Sequence, residues 1–387
     1  MPDVSPGRRA GGGRARGPFR SEVIDRLGES RTWLLPGGQI VLPRVFGFCR
    51  GVTRALEMLE EALETDRGSG GRFFLLGSII HNPWVNRHFE NLGVTILRRD
   101  QMDRLEEFLT PRDCAVIPAF GVPVPLEERI RRVGCRVIDT TCPDVRRLWA
   151  WARQAVQQGC GVLIYGRADH DETVVTKGHL EAAGGRYLVV GSLAEAERFC
   201  QLVEAGDENA SPAQLFGPSA SNASSVGAFL RLAQVSQTTM LYEETLQVRQ
   251  RIRSAFDRRF GSAEAGERLL FQPTVCKATQ ARQSAARELC AAGCDLVVVV
   301  GGFGSSNTRH LYELARRRGR AYFIEDASAI LGADAIGSFD AQSGDVRPER
   351  DWLPAKRPLK IGVLAGASSP EAVIGDVLQK LAELLST

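Results

Sequence analysis

The sequence predicts an α/β fold of three lobes in a pseudo-threefold arrangement, with mostly parallel sheets. Three observations predict it. First, the stretches RVFGFCRGVTRALEMLEEAL from Arg44, RVIDTTCPDVRRLWAWARQAV from Arg136 and LLFQPTVCKATQARQSAARELC from Leu269 share one pattern. Each runs a β-prone segment into a cysteine (Cys49, Cys142, Cys276) and then straight into a segment of helical period. Second, roughly 30 residues after each cysteine, about the length of a βαβ unit, an apolar run ends in polar residues. These are His81 after FFLLGSII, His170 and Glu172 after GVLIYGRAD, and Ser305, Ser306 and Asn307 after LVVVVGGFG. Third, a further apolar run closes each copy, in AFGV (Phe120), SQTT (Thr238) and GAS (Ser368). Polar side chains at the carboxyl ends of parallel strands line the ligand crevice of open α/β sheets. A cysteine at a helix N-terminus also sits where the macrodipole favours thiolate. Three such cysteines point at one place.

The elements follow in order. Residues 1–20, rich in Gly and Arg with little to bury, read as disordered rather than as a transit peptide, being poor in Ser. Residues 21–39 complete an N-terminal extension as an adaptor, with a short helix near Glu22–Leu27 and a turn at Pro36-Gly37-Gly38. Residues 40–142 form the first lobe: strand QIVLPRVFGFC, which can join the third lobe, helix VTRALEMLEEALE, a loop from Asp66 to Gly71 and the doubly buried strand FFLLGSII. Helix VNRHFENLG, strand VTIL, a helix around Asp103–Phe108, strand CAVIPAF, helix VPLEERIRRVG and strand CRVIDTTC complete it.

The second lobe, residues 143–274, runs helix VRRLWAWARQAVQQG, strand GVLIYG, strand YLVVG and helix LAEAERFCQLV. An Ala-, Ser-, Gly- and Asn-rich surface insertion at 205–224 follows, then strand VSQTTM and the long helix LYEETLQVRQRIRSAFDRRFG. The third lobe, residues 275–387, contains TQARQSAARELCAAG, DLVVVVGG, NTRHLYELARRRG, AYFIED, a loop near Asp340–Pro354, IGVLAGAS and the closing helix PEAVIGDVLQKLAELL. Alternating strands and helices with long apolar strands mark parallel sheets.

Composition narrows the function. With 49 basic and 46 acidic residues among 387, the net charge of +3 gives no reason to expect nucleic acid or a membrane surface as partner. No apolar run reaches the ~18–20 residues of a spanning helix and no signal sequence is evident, which predicts a cytoplasmic protein. Nine cysteines are too few for a disulfide scaffold, and no CxxC pair suggests zinc. Cys114, Cys135, Cys160, Cys200, Cys290 and Cys294 lack the shared context and read as packed thiols. His88, His179 and His310 match none of the strand ends and read as surface or satisfied histidines.

In this order, GFCRGV, HNPWV, DTTCPDV, DHDE, SQTT, GSSNT and AGASSP resemble the LytB/IspH family, the 4-hydroxy-3-methylbut-2-enyl diphosphate reductases. The resemblance runs from about Ile40 to Pro370, most of the chain. It implies three lobes around a central [4Fe-4S] cluster held by Cys49, Cys142 and Cys276. Three cysteines are one fewer than such a cluster ordinarily uses, which leaves one iron open to substrate. The implied reaction removes the allylic hydroxyl reductively, giving isopentenyl and dimethylallyl diphosphate in the non-mevalonate route. Reduced ferredoxin or flavodoxin is the implied electron donor.

The resemblance makes Glu172 the proton-delivering carboxyl, with Thr238 and His170 beside it. It makes His81, His170, Ser305, Ser306, Asn307 and Ser368 the donors to the diphosphate. The chain departs from the family in three places. Phe120, otherwise a substrate contact, stands where the family has a histidine, so one diphosphate donor is lost. Asp171 stands where proline is common, and Leu364 where a smaller polar residue is frequent. Two other readings share the fold: a paralogue acting on a different hydroxylated substrate, and a non-catalytic iron–sulfur sensor.

Overall fold

Short strands, most of them buried, build three main sheets. The first has the order Val94–Leu97, Phe73–Leu76, Cys114–Ile117, Arg136–Asp139, and every pairing is parallel. The second, Leu269–Phe271, Leu232–Ser236, Gly161–Tyr165, Tyr187–Val190, is likewise all parallel. The third runs Thr32–Leu35, Gly38–Val41, Leu359–Ala365, Leu296–Val300, Ala321–Ile324, with only its first pair antiparallel. The computed structural model of the protein describes residues 17–66, 70–341 and 343–386. The disorder expected for residues 1–16, and the loop at 67–69, lie outside the described residues.

Each cysteine marks a crossing between lobes. The strand before it belongs to one sheet and the helix after it packs on the next. Gly38–Val41 pairs in the third sheet, yet helix Arg50–Thr65 buries Val52, Leu56 and Leu59 against Phe73, Leu75 and Val116 of the first. Helix Pro143–Gln157 carries Ala152 and Ala155 onto Val162 and Ile164 of the second sheet. Helix Lys277–Ala291 carries Ala286 and Leu289 onto Val297 and Val299 of the third. Burying a leucine fully is worth about 1.5–3 kcal/mol, so such helices fasten one lobe to the next.

Several expectations are corrected. The strands stop short of the cysteines, at Val41, Asp139 and Phe271, and irregular chain completes each crossing. Residues 32–41 are a hairpin of the third sheet, so the adaptor ends inside a lobe. Phe19, expected in a disordered tail, packs edge-on against Phe48, Trp84 and His88 at ring distances of 5.5, 5.8 and 5.1 Å. Around Asp103–Phe108 there are only the turn Arg99–Met102 and a 3-10 turn at Leu105–Glu107. A helix, Asp171–Ala182, stands between two strands that were read as consecutive.

The 205–224 segment is more than a surface insertion. Ser221 Oγ donates to the Tyr187 carbonyl (2.6 Å), Asn222 Oδ1 accepts from the Tyr187 N–H (2.9 Å) and the Val189 N–H donates to Ala220 (2.7 Å). It covers the free edge of the second sheet, which would otherwise present unpaired backbone groups.

The loop expected near Asp340–Pro354 contains half of an antiparallel hairpin, Ala335–Phe339 with Val346–Arg350. Behind it Trp352 is fully buried, its ring edge-on to Tyr322 and its Nε1–H on the Gly332 carbonyl at 2.8 Å. Trp352→Ala is expected to cost about 3–5 kcal/mol, read as a lower urea midpoint for unfolding.

Candidate active site

Cys49, Cys142 and Cys276 are each the N-cap of the helix that follows, with extended backbone. The N–H groups of all three make equivalent bonds to a carbonyl two residues past a strand of the sheet that the chain is leaving. Cys49 donates to Ala367 (3.1 Å), Cys142 to Ala119 (2.8 Å) and Cys276 to Thr238 (3.0 Å). This repeated bond is the pseudo-threefold relation in its most local form. Gly51 shows how close two of the thiols come. A Cβ on it would stand 2.8 Å from Cys142 Sγ and 3.8 Å from Cys49 Sγ. Only glycine leaves room for both sulfurs there.

Electrostatics ties Cys276 to the same place, since its charged form would repel Cys49 and Glu172. Val52 N–H reaches Cys49 Sγ at 3.4 Å and Thr279 N–H reaches Cys276 Sγ at 3.3 Å. At Cys276 the bond from Thr279 favours the thiolate, and at Cys142 those from Asp144 and Val145 do. Burial outweighs them, pushing the Cys276 thiol up to about 11 and raising Cys142 as well. A bound metal would reverse that balance, because coordination deprotonates a thiol outright.

A cation shares the pocket. Arg282, buried on the Cys276 helix, sends Nη2 to the Gly47 carbonyl (2.7 Å) and Nη1 to Ala278 (3.0 Å), leaving Nε unpaired. Burial lowers its pKa, while Cys49 and Cys276 work in the other direction. Among the described residues no three His, Cys, Asp or Glu side chains gather closely enough for a single metal ion. Three thiols from three lobes with a buried arginine fit an anionic cluster instead, whose corner ligands stand further apart than those of one ion.

Glu172 lies beside the thiols on the first turn of helix Asp171–Ala182 and is 4% exposed. Thr238 grips both its oxygens: the backbone N–H on Oε1 and Oγ–H on Oε2, each at 2.6 Å. Burial raises its pKa against these bonds. His170 caps the same helix, its Nδ1 accepting the Glu172 N–H at 3.2 Å. The neutral ring therefore carries its proton on Nε2, which is buried without a partner. Burial holds His170 down to about 3, so it stays neutral.

The third lobe contributes hydroxyls and an amide. Ser305 caps helix Ser306–Arg316, and its Oγ lies 3.0 Å from Thr308 Oγ1 and 3.3 Å from Ser368 Oγ. Asn307 is buried with both amide atoms unpaired, and Ser306 is buried next to it. Such orphaned groups are rare in native interiors unless they await a partner. Phe120 stacks on His81, ring centroids 4.9 Å apart and planes 11° apart, and His81 lies 5.0 Å from His170. Asp171 Oδ2 takes His81 Nε2 at 2.9 Å.

The structure thus brings the cysteines together with Glu172 and Thr238, and places His81, His170 and Phe120 in mutual contact. Leu364 is a packing residue of the third sheet, not a site residue. His310 pairs with Glu313 at 2.9 Å and His88 packs among aromatic rings, while His179, expected at the surface or satisfied, is buried against Trp149 at 3.9 Å with its Nε2 unpaired. The six other cysteines are buried or half-buried free thiols. Arg282, Gly51 and Thr279 escaped the sequence reading. Their one signal was position, within a few residues of a cysteine on its helix.

The chain matches the family model described as "LytB protein" over residues 40–382. It is 34% identical over 374 residues to a protein of Gloeobacter violaceus named 4-hydroxy-3-methylbut-2-enyl diphosphate reductase, covering 95% of this chain and 88% of that one. It is 34% identical over 371 residues to one of the same name from Prochlorococcus marinus, covering 95% and 91%. Among solved structures it resembles (E)-4-hydroxy-3-methyl-but-2-enyl diphosphate reductase, the terminal enzyme of the non-mevalonate pathway, with 26% identity, a TM-score of 0.53 and coverage of 89% and 99%. The Plasmodium falciparum E-1-hydroxy-2-methyl-but-2-enyl-4-diphosphate reductase shares the fold, with 21% identity, a TM-score of 0.63 and coverage of 90% and 88%. With the model match spanning most of its length and relatives this similar over nearly all of it, the chain belongs to the LytB family.

Proposed function

We propose that the protein is a 4-hydroxy-3-methylbut-2-enyl diphosphate reductase, with Cys49, Cys142 and Cys276 holding a [4Fe-4S] cluster. The names of its relatives support the substrate. The carrying observation is the Glu172 carboxyl, buried in Thr238's grip beside three helix-capping cysteines from three lobes. When bound, such a cluster supplies electrons and one iron free of protein ligands to act as a Lewis acid.

The chain's own residues do the rest. The reaction R–OH + 2e⁻ + 2H⁺ → R–H + H₂O needs a proton at the leaving oxygen. Glu172 supplies it from a carboxyl whose pKa burial raises, and Thr238 Oγ orients that carboxyl. His170 Nε2–H, the Asn307 amide and the Ser305, Ser306 and Ser368 hydroxyls anchor the diphosphate, with His81 beside them. Ferredoxin or flavodoxin provides the electrons. In the test, anaerobically reconstituted protein receives substrate and an artificial one-electron donor, and products are identified by mass. Two five-carbon diphosphates are expected; an intact cluster without turnover would refute the assignment.

One observation favours a second reading, a paralogue for a less anionic hydroxylated substrate. The Phe120 ring covers a face of His81 and offers no donor. If the diphosphate is the substrate, Phe120→His restores a charge-assisted bond worth about 1.5–3 kcal/mol and lowers KM roughly ten- to hundred-fold. A KM that stays put or rises in this variant favours the paralogue.

A further inference from the structure

Asp171 and Phe120 meet at one imidazole. Asp171 is the first residue of helix Asp171–Ala182, more than half exposed, and reaches across to the first lobe's His81. The contact holds the Asp171 carboxyl below its ordinary carboxylate range. His81 Nε2 points at that carboxylate, which can only accept, so the N–H on this nitrogen is already taken. The neighbouring donors on the pocket's anion end, His170 Nε2 and the Asn307 amide, have no partner. Of these three groups, His81 alone is filled by the protein's own anion. Phe120, stacked on the ring, fixes the plane in which His81 can turn.

We propose that Asp171 is a specificity-determining residue whose carboxylate competes with the substrate's diphosphate for His81 Nε2. Two anions cannot share one N–H, so the phosphate binds by displacing Asp171. The displaced side chain has somewhere to go. A cavity of about 350 Å³ opens beside it, lined by Phe120, Val122, Leu126, Val174 and Arg99. Arg99 already stabilises the Asp171 charge at a distance and can receive it. The competition taxes affinity by the fraction of molecules in which Asp171 holds the ring, and it penalises highly charged anions by repulsion as well. This inference rests on the diphosphate reading of the pocket.

The test titrates inorganic pyrophosphate by calorimetry into anaerobically reconstituted wild type, Asp171→Asn and Asp171→Pro, the last because proline is well tolerated at a first helical position. Both variants are expected to bind pyrophosphate roughly three- to ten-fold tighter. The substrate KM falls by a similar factor while kcat moves little. Equal or weaker binding in both variants overturns the proposal, since the carboxylate would then be positioning His81 rather than occupying it. Binding by the variants where wild type shows none supports it. No binding by any of the three sinks the diphosphate reading and this inference with it.

Discussion

Glu172→Gln is expected to lower kcat by about 10²–10⁴-fold, the usual worth of a positioned general acid, with KM and iron content nearly unchanged. The substitution suits the site. Gln keeps one oxygen to accept the Thr238 N–H and presents an amide donor to Thr238 Oγ, so the bonds at 2.6 Å have replacements. What it lacks is a transferable proton. Stability provides an independent readout with a fixed sign. Burial raises the Glu172 pKa above its ordinary 4.5, so folding favours the protonated form. Its contribution is fully present below pH 4.5 and is lost as pH rises through the folded value. Gln carries no such term, so the variant's urea midpoint should gain on wild type as pH increases. Turnover within tenfold of wild type, or a pH-independent difference in midpoint, would remove Glu172 from the proton path.

Single substitution of Cys49, Cys142 or Cys276 by alanine is expected to abolish the wild-type cluster spectrum and lower turnover by about 10³-fold or more, as loss of several kcal/mol of Lewis-acid stabilisation implies. The three positions should behave alike, because each caps the helix of a different lobe. Cys290→Ala is the control: it is half-buried on the Cys276 helix but lies among Leu289 and Tyr312, away from the site. Iron and turnover should survive there. Equal losses at Cys290 would mean that the effect is general destabilisation.

The most legible features in the sequence were those that repeat. Three cysteines, each followed by an amphipathic helix and then an apolar strand, disclosed the lobes because burial writes a period into sequence. Helix Asp171–Ala182 left no such mark. Its buried face includes Glu172, Thr173, Thr176 and His179, so polar groups occupy positions where an apolar stripe would reveal a helix. The hairpin strand Val346–Arg350 is exposed throughout and alternates nothing. The second sheet's edge is covered through side-chain hydrogen bonds of Ser221 and Asn222, which leave no pattern. At the site, residue types were legible singly but not their contacts. Phe120, His81 and Asp171 come from three segments and two lobes, and only the fold shows that two of the three departures from the family touch one imidazole.

The most direct measurement is iron and acid-labile sulfide per chain, with a Mössbauer spectrum, on wild-type protein reconstituted anaerobically. Three cysteines meeting at one point predict about four irons per chain, one of them in a distinct environment that shifts when substrate is added. A chain that holds no iron, or a cluster whose irons are all alike and indifferent to substrate, would contradict the assignment of Cys49, Cys142 and Cys276 as an open-cornered ligand set.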